Sequence, residues 1–208
     1  MSRFAAPRVS FGRRPVGDGM PAPHVGRAAT RRTAQLAEAK DALAVLPGSG
    51  ESVHCLLTGR FDLMHLLVCI IDRLGTVEVM RIATLSYNAR NLSEMVGLLD
   101  TGRVKTLTLL CSKFFAEHNT GVWEETLEEF RSRGQRAAAA RSHAKVVTFA
   151  FVSGWRLTIE SSANARSNGN IEFCTLIDGA DLHDWHAGWI DSKRRERLIT
   201  AYMQAFIR

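Results

Sequence analysis

Apolar residues recur along the chain from Val53 in two alternating patterns. Short continuous apolar runs predict strands at 53–57, 76–85 and 104–111. Apolar residues three and four positions apart predict helices at 59–74, 91–99 and 122–133. Asn91 is the candidate N-cap of the helix at 91–99, and Gly102 follows that helix as its stop signal. Regular alternation of strands and helices indicates an α/β domain.

The pattern changes after Gly134, where strands follow one another without helices between them. Strands are predicted at 143–152 and 155–159, joined by a Ser153-Gly154 turn, and at 171–177. A closing helix is predicted at 191–207, and its apolar side carries Leu198, Ile199, Tyr202 and Phe206. The whole pattern predicts a layered α/β domain, with a mixed β-sheet and helices on both faces.

The N-terminal part of the chain has a different composition. Residues 1 to about 30 are rich in Pro, Gly and Arg, which predicts a disordered basic arm. A short amphipathic helix is predicted at 33–46, and the Pro47-Gly48-Ser49-Gly50 stretch separates it from the rest. We therefore divide the chain into an arm at 1–47 and a domain at 48–208.

Net charge and cysteine usage narrow the function classes. The formal charge of +6 and the pI near 9.5 favour an anionic partner such as nucleic acid. Seven arginines precede Thr33, against the single acid Asp18. The four cysteines form no Cys-x-x-Cys pair, which argues against a zinc cluster or a disulfide scaffold.

No apolar segment of the sequence is typical of a signal peptide or a membrane span. The longest apolar stretch, 63–71, contains His65 and is too short to cross a bilayer. We expect a cytoplasmic protein without integral membrane association. An Arg-rich, acid-poor N-terminus is also typical of an organelle transit peptide, which is the minor alternative.

Five polar residues between 143 and 172 form the candidate site. On a strand, side chains two positions apart point to the same side, so His143 and Lys145 are expected to face one way together. A turn and a returning strand bring back Ser162 and Asn164, again two positions apart, and Glu172 begins a further strand.

These residue types suit phosphoryl chemistry. Lys145 and Asn164 can bind non-bridging oxygens and stabilise charge that develops at phosphorus. His143 can act as a nucleophile or an acid, and a carboxylate such as Glu172 can fix its tautomer. Taken alone, His143 and Lys145 are better interpreted as a hydrogen-bonded histidine next to a surface lysine.

The segment 143–177 resembles the phospholipase D superfamily. The blocks that carry the resemblance are His-x-Lys at 143–145, Ser-x-Asn at 162–164 and Asn-x-Glu at 170–172. The resemblance implies a phospholipase D-like fold, and a reaction in which the motif histidine forms a covalent phosphohistidine without a metal or another cofactor. It implies His143 as nucleophile or acid/base partner, Lys145 and Asn164 as phosphate ligands, Ser162 as a supporting group and Glu172 as the residue that orients the imidazole.

Two positions depart from the family pattern. Ala150 stands where the family has an aspartate, and Ser161 stands where it has a glycine. The chain also has one His-x-Lys motif, whereas the family reaction uses two histidines. We therefore expect a homodimer in which two copies of His143 share one active site.

Other charged and aromatic residues are weaker candidates. Arg166 lies in the Asn164 loop, and Lys193 and Arg194 belong to a basic run that is either a solvated helix face or a phosphate contact. These three residues are the candidate contacts to substrate phosphate. The histidines at 183 and 186, with aspartates at 181 and 184, could suggest a metal site but lack the spacing of one. Trp185 and Trp189 are interpreted as packing residues of the closing helix.

Three functions remain open at this point. A nuclease is favoured by the motif, the basic charge and the single-motif design, which resembles the bacterial endonuclease branch of the family. A catalytically silent nucleic-acid-binding module is the alternative that Ala150 supports. A phospholipase or phosphatidyltransferase is less favoured, because no anchoring segment is evident. The sequence does not distinguish DNA from RNA, or single from double strands.

Overall fold

A computed structural model describes residues 27–57, 61–166 and 169–206, with side chains from 35 to 193 within those ranges. Residues 1–26 of the predicted disordered stretch lie outside the described residues, whereas residues 27–30, also predicted to be disordered, are helical. The short helix predicted at 33–46 is present but spans Arg27–Ala42. Seven strands are present in this part of the chain: β1 (Ser52–Leu57), β2 (Val77–Thr84), β3 (Val104–Ser112), β4 (Arg136–Ala140), β5 (Val146–Phe151), β6 (Arg156–Ser161) and β7 (Glu172–Asp178). The helices are α1 (Arg27–Ala42), α2 (Leu63–Leu74), α3 (Ala89–Asp100), α4 (Lys113–His118), α5 (Thr120–Ser132) and α6 (Ala180–Phe206).

The strands form a single mixed sheet in the order β1-β7-β6-β5-β2-β3-β4. The β2, β3 and β4 strands are parallel to one another, as expected for strands that alternate with helices. The β5, β6 and β7 strands, and β1 at the edge, pair antiparallel. The predicted α/β class with a mixed sheet is confirmed.

Helices cover both faces of the sheet, as predicted. On one face the apolar sides of α1, α2, α3 and α5 pack against inward residues of the strands in one large core. That core explains why α2 is almost entirely apolar, since nine of its residues are buried. On the other face, Ile190 of α6 packs in a smaller cluster with Ala83, Leu110, Ala138 and Val146.

The α6 helix begins at Ala180, so the prediction that it begins at Asp191 is wrong. The reason is that α6 crosses a polar part of the sheet. Its Asp191 binds Arg81 of β2 at 3.0 Å, and its His186 lies 2.9 Å from a carboxylate oxygen of Glu160 in β6. A helix held by such pairs lacks the apolar periodicity from which a helix is predicted. The structure does not describe the side chains of α6 from residue 194 onward. The predicted apolar side of this helix, from Leu198 to Phe206, falls in that part.

Two further elements differ from the prediction. The β4 strand was not predicted, because its four consecutive alanines are typical of a helix. The N-cap of α3 is Asn88 rather than Asn91. The two asparagines cap reciprocally, since each side chain accepts a hydrogen bond from the backbone N–H of the other.

None of the four cysteines forms a disulfide in the described structure, although two of them face each other. Cys55 of the outermost strand β1 is directly opposite Cys174 of the neighbouring strand β7. A hydrogen bond with Cys174 lowers the pKa of Cys55, and the same contact together with burial raises the pKa of Cys174.

The strand directions bring several chain segments to one end of the sheet, which we call the upper edge. It comprises the carboxyl ends of β1, β2, β3, β4 and β6 and the amino ends of β5 and β7. The α2, α3 and α4 helices begin there because each follows a strand that ends there. Among the described residues, every helix is too short or too polar to span a bilayer.

Candidate active site

All five predicted site residues lie at the upper edge of the sheet. His143 and Lys145 directly precede β5, while Ser162 and Asn164 directly follow β6. The β5 and β6 strands are antiparallel neighbours, and the Ser161 N–H donates to the Lys145 carbonyl at 3.1 Å. Glu172 is the first residue of β7, the next strand along. The sheet therefore brings the three sequence blocks together.

His143 and Lys145 lie in a loop and not on a strand, because β5 begins only at Val146. The predicted strand at 143–152 is therefore wrong for these two residues, and strand alternation does not determine where their side chains point. The loop folds locally instead, with the Lys145 ammonium donating to the His143 carbonyl at 3.0 Å. The His143 side chain is exposed, and its ring makes no hydrogen bond to any described side chain. An exposed imidazole without a partner is accessible to a substrate.

Ser162 is held tightly between β6 and β7. Its hydroxyl donates to the Glu172 carboxylate and accepts from the Phe173 N–H at 3.0 Å. Its own N–H donates to the Phe173 carbonyl at 3.1 Å. Glu172, which was expected to orient the imidazole of His143, accepts a hydrogen bond from Ser162 here. These contacts fix the position from which the Asn164 loop begins.

Asn164 is held by its two neighbours in sequence. Ala163 and Ala165 are buried in the large core, and the Ala165 N–H donates to the Thr84 hydroxyl at the end of β2, at 3.1 Å. The amide oxygen of Asn164 is buried and has no hydrogen-bond partner among the described residues. A buried polar atom without a partner costs on the order of 1–3 kcal/mol. Such an atom is typical of a site that binds a ligand.

Ala150, the position of the missing family aspartate, lies away from this site. It is opposite Val79 of β2 and Arg156, the first residue of β6. Both partners lie toward the end of the sheet opposite the upper edge. Alanine at this position therefore leaves the groups at the upper edge in place.

The basic candidates differ in position. Arg166 is exposed and follows Asn164 in the same loop, as predicted. Lys193 is exposed on α6, just beyond Asp191, whose partner Arg81 lies in the middle of β2. The side chain of Arg194 lies outside the described residues.

The histidines of α6 have separate partners, which gives no support to a shared metal site. His183 contacts Asp184, whereas His186 contacts Glu160 and accepts a hydrogen bond from the Trp189 indole at 2.9 Å. Burial lowers the pKa of His183, and the hydrogen bond with Asp184 partly opposes that shift. No cluster of three or more potential metal ligands occurs among the described side chains. Trp189 packs against the smaller core, but Trp185 is 65% exposed, so its interpretation as a packing residue is wrong.

Sequence reasoning missed a second polar group at the upper edge. Asp62 caps α2 and contacts His65 of the same helix, and both are buried. Arg90 and Asn91, in the first turn of α3, reach this pair from the neighbouring helix. The signal in the sequence was a histidine within the apolar run of α2, three residues after an aspartate that can cap a helix.

No protein-family model and no curated protein sequence matches the chain. Its structure is similar to a polyphosphate kinase from Porphyromonas gingivalis, with a TM-score of 0.48 and 14% identity over 67% of this chain and 25% of that one. It is similar to the phospholipase D family member Nuc from Salmonella typhimurium, with a TM-score of 0.48 and 12% identity over 69% of this chain and 94% of that one. A yeast tyrosyl-DNA phosphodiesterase gives a TM-score of 0.39 and 15% identity over 60% of this chain and 31% of that one.

The chain thus spans about a quarter of the kinase and about a third of the yeast enzyme, but nearly all of Nuc. At these TM-scores and identities the similarities do not define a reaction.

Proposed function

We propose that the chain is a phosphodiesterase of the phospholipase D superfamily and that its substrate is a nucleic acid. The observation that carries this proposal is the convergence of His143, Lys145, Ser162, Asn164 and Glu172 at the upper edge. An imidazole, an ammonium and a carboxamide at one end of the sheet are the groups that phosphoryl transfer through a histidine requires.

In the proposed reaction a nitrogen of His143 attacks phosphorus and forms a P–N bond, while the bond from phosphorus to the leaving oxygen breaks. A second imidazole donates a proton to that oxygen. Water then attacks the phosphohistidine, gives up a proton to the second imidazole and releases His143 with a phosphate monoester. Lys145 and Asn164 bind the non-bridging oxygens throughout, and no metal takes part in these steps.

The second imidazole is proposed to come from a second copy of the chain. His143 is the one histidine of seven that is followed two residues later by a lysine. A two-fold axis near the upper edge would bring two exposed His143 side chains together. Sedimentation at concentrations used in activity assays should therefore give a homodimer. An active, well-folded monomer would refute the shared site.

Nucleic acid is the proposed substrate because its phosphates are negatively charged and the chain carries a net positive charge. The chain is basic overall, and Arg166 is exposed in the loop that carries Asn164. Arginine binds phosphate oxygens in a bidentate manner and is a frequent ligand of nucleic-acid backbones. Arg166, Lys193 and Arg194 are accordingly proposed as contacts to substrate phosphates outside the reacting position.

Cleavage in the absence of metal tests this function. Supercoiled plasmid and single-stranded DNA are incubated with the protein in excess EDTA, and the products are resolved on gels. The proposal predicts cleavage that persists in EDTA. Salt-sensitive retardation of DNA without cleavage would instead identify a silent binding module. Release of headgroups from anionic phospholipid vesicles, with no effect on DNA, would identify a lipid-directed enzyme.

A further inference from the structure

The polar group formed by Asp62, His65 and Arg90 lies beside the candidate site. Glu172 is opposite Leu57 at the end of β1, and Asp62 caps the helix that follows β1. On the other side, Ala165 binds Thr84 at the end of β2, and Arg90 lies in the first turn of the helix that follows β2. Both helices pack in the same core as the alanines that flank Asn164.

The ring of His65 is held on both sides. Its Nδ1 lies 2.6 Å from Oδ1 of Asp62 and 3.3 Å from the Asp62 backbone nitrogen, and its Nε2 lies 3.3 Å from Nη2 of Arg90. A guanidinium can only donate, so Nε2 is the acceptor in the contact with Arg90. Asp62 is held in turn, because the His65 N–H donates to its Oδ1 at 3.1 Å and the Asn91 amide donates to its second oxygen at 3.3 Å. The buried pair therefore presents one fixed acceptor to Arg90.

Arg90 is held by buried groups and is itself accessible. His65 and Asp62 are 1% and 7% exposed, whereas the Arg90 side chain is 45% exposed. Nη2 of Arg90 is shared between His65 and the Gln35 amide oxygen at 3.4 Å, and Nε lies 3.7 Å from Glu94. Nη1 has no hydrogen-bond partner among the described residues. Nη1 of the guanidinium thus remains available to donate a hydrogen bond to an oxyanion.

A second observation in the same segment points to a ligand. Ser86 lies between Thr84 and Arg90, is 7% exposed, and its hydroxyl has no partner among the described residues. The segment is anchored to α5, because Tyr87 is buried and its hydroxyl is 2.7 Å from that of Thr126. A segment with an unpartnered buried hydroxyl and an arginine at one end has the composition of an anion site.

We propose that Arg90 binds a phosphate of the substrate at the upper edge, and that the Asp62–His65 pair is the positioning device that aims its guanidinium. This proposal rests on the proposed phosphodiesterase function. A solely structural role for the network would leave substrate binding independent of Arg90. A phosphate-binding role makes substrate affinity depend on its charge, and on the acceptor that His65 provides.

The test uses inorganic phosphate and bis(4-nitrophenyl) phosphate with the full chain. Arg90→Gln should weaken phosphate binding and raise the KM for the diester by about tenfold or more, as expected for a lost hydrogen bond to a charged group. Its kcat should change much less. Arg131→Gln, at an exposed arginine in α5, is the matched control and should match the wild type.

Substitutions of His65 separate positioning from stability. His65→Gln retains an acceptor for Arg90 and should retain most of the affinity, whereas His65→Leu removes the acceptor and should raise KM. If His65→Leu lowers the melting temperature but leaves KM unchanged, the pair has only a structural role. The exposed Arg90 can be replaced without loss of the core, so the Arg90→Gln result holds even if the His65 variants fold poorly.

The outcomes also distinguish this inference from the function on which it rests. If the wild type cleaves the diester and Arg90→Gln behaves like Arg131→Gln, the role of Arg90 is refuted and the phosphodiesterase stands. If the wild type neither cleaves the diester nor binds phosphate, both proposals fail.

Discussion

Replacement of His143 by alanine is expected to reduce DNA cleavage by about a thousandfold or more, because it removes the atom that forms the bond to phosphorus. His143 lies in a loop, is exposed and makes no side-chain hydrogen bond among the described residues, so its loss should leave stability nearly unchanged. The measurement compares cleavage rates in EDTA and melting temperatures of the two proteins.

His118→Ala serves as the matched control. This histidine is also exposed, at the end of α4, where its ring contacts the carbonyl of Phe114. Its substitution should leave cleavage within a few-fold of the wild type. If His143→Ala cleaves DNA as fast as His118→Ala, the nucleophile has been assigned to the wrong residue.

Replacement of Lys145 by glutamine is expected to lower kcat by about a hundredfold to a thousandfold, the loss typical of one group that stabilises transition-state charge. Lys145 is half-buried, and its ammonium donates to the carbonyl of His143. The variant loses the positive charge but retains a side chain that can hydrogen-bond.

Lys105→Gln is the control for the loss of one positive charge away from the candidate site. Lys105 lies in β3 near the opposite end of the sheet and forms an exposed pair with Glu78, in which both side chains are 51% exposed. An exposed pair contributes about 0–1 kcal/mol to stability, so its loss should change the stability of the protein very little. Equal losses of kcat in the two variants would mean that net charge, and not Lys145, determines the rate.

Much of the fold could be predicted because its core follows simple periodicity. The buried strands β2 and β3 and the apolar α2 were all predicted, since their side chains pack against a single large core. The β4 strand was missed because alanine favours a helix locally, and its pairing with β3 is a long-range contact. The first half of α6 was missed because it packs on a polar surface through ion pairs such as Asp191 with Arg81.

The candidate site could be predicted in part because its members are close in sequence. The site residues from His143 to Glu172 lie at the ends of consecutive strands, so their convergence follows from two hairpin connections. The local conformation was not predictable, because the His143 loop depends on hydrogen bonds such as that of Lys145 with a backbone carbonyl. Asp62, His65 and Arg90 were missed because separate helices contribute them, and only the sheet order brings those helices to one edge.

The central claim is that His143 attacks phosphorus, and trapping the covalent intermediate tests it most directly. The protein is mixed with single-stranded DNA in EDTA, quenched in alkali to preserve phosphohistidine, digested and analysed by mass spectrometry. The account predicts a nucleotide or phosphoryl adduct on His143 that appears during turnover and is absent in His143→Ala. Cleavage that proceeds with no adduct at His143, or with an adduct on another residue, would contradict it.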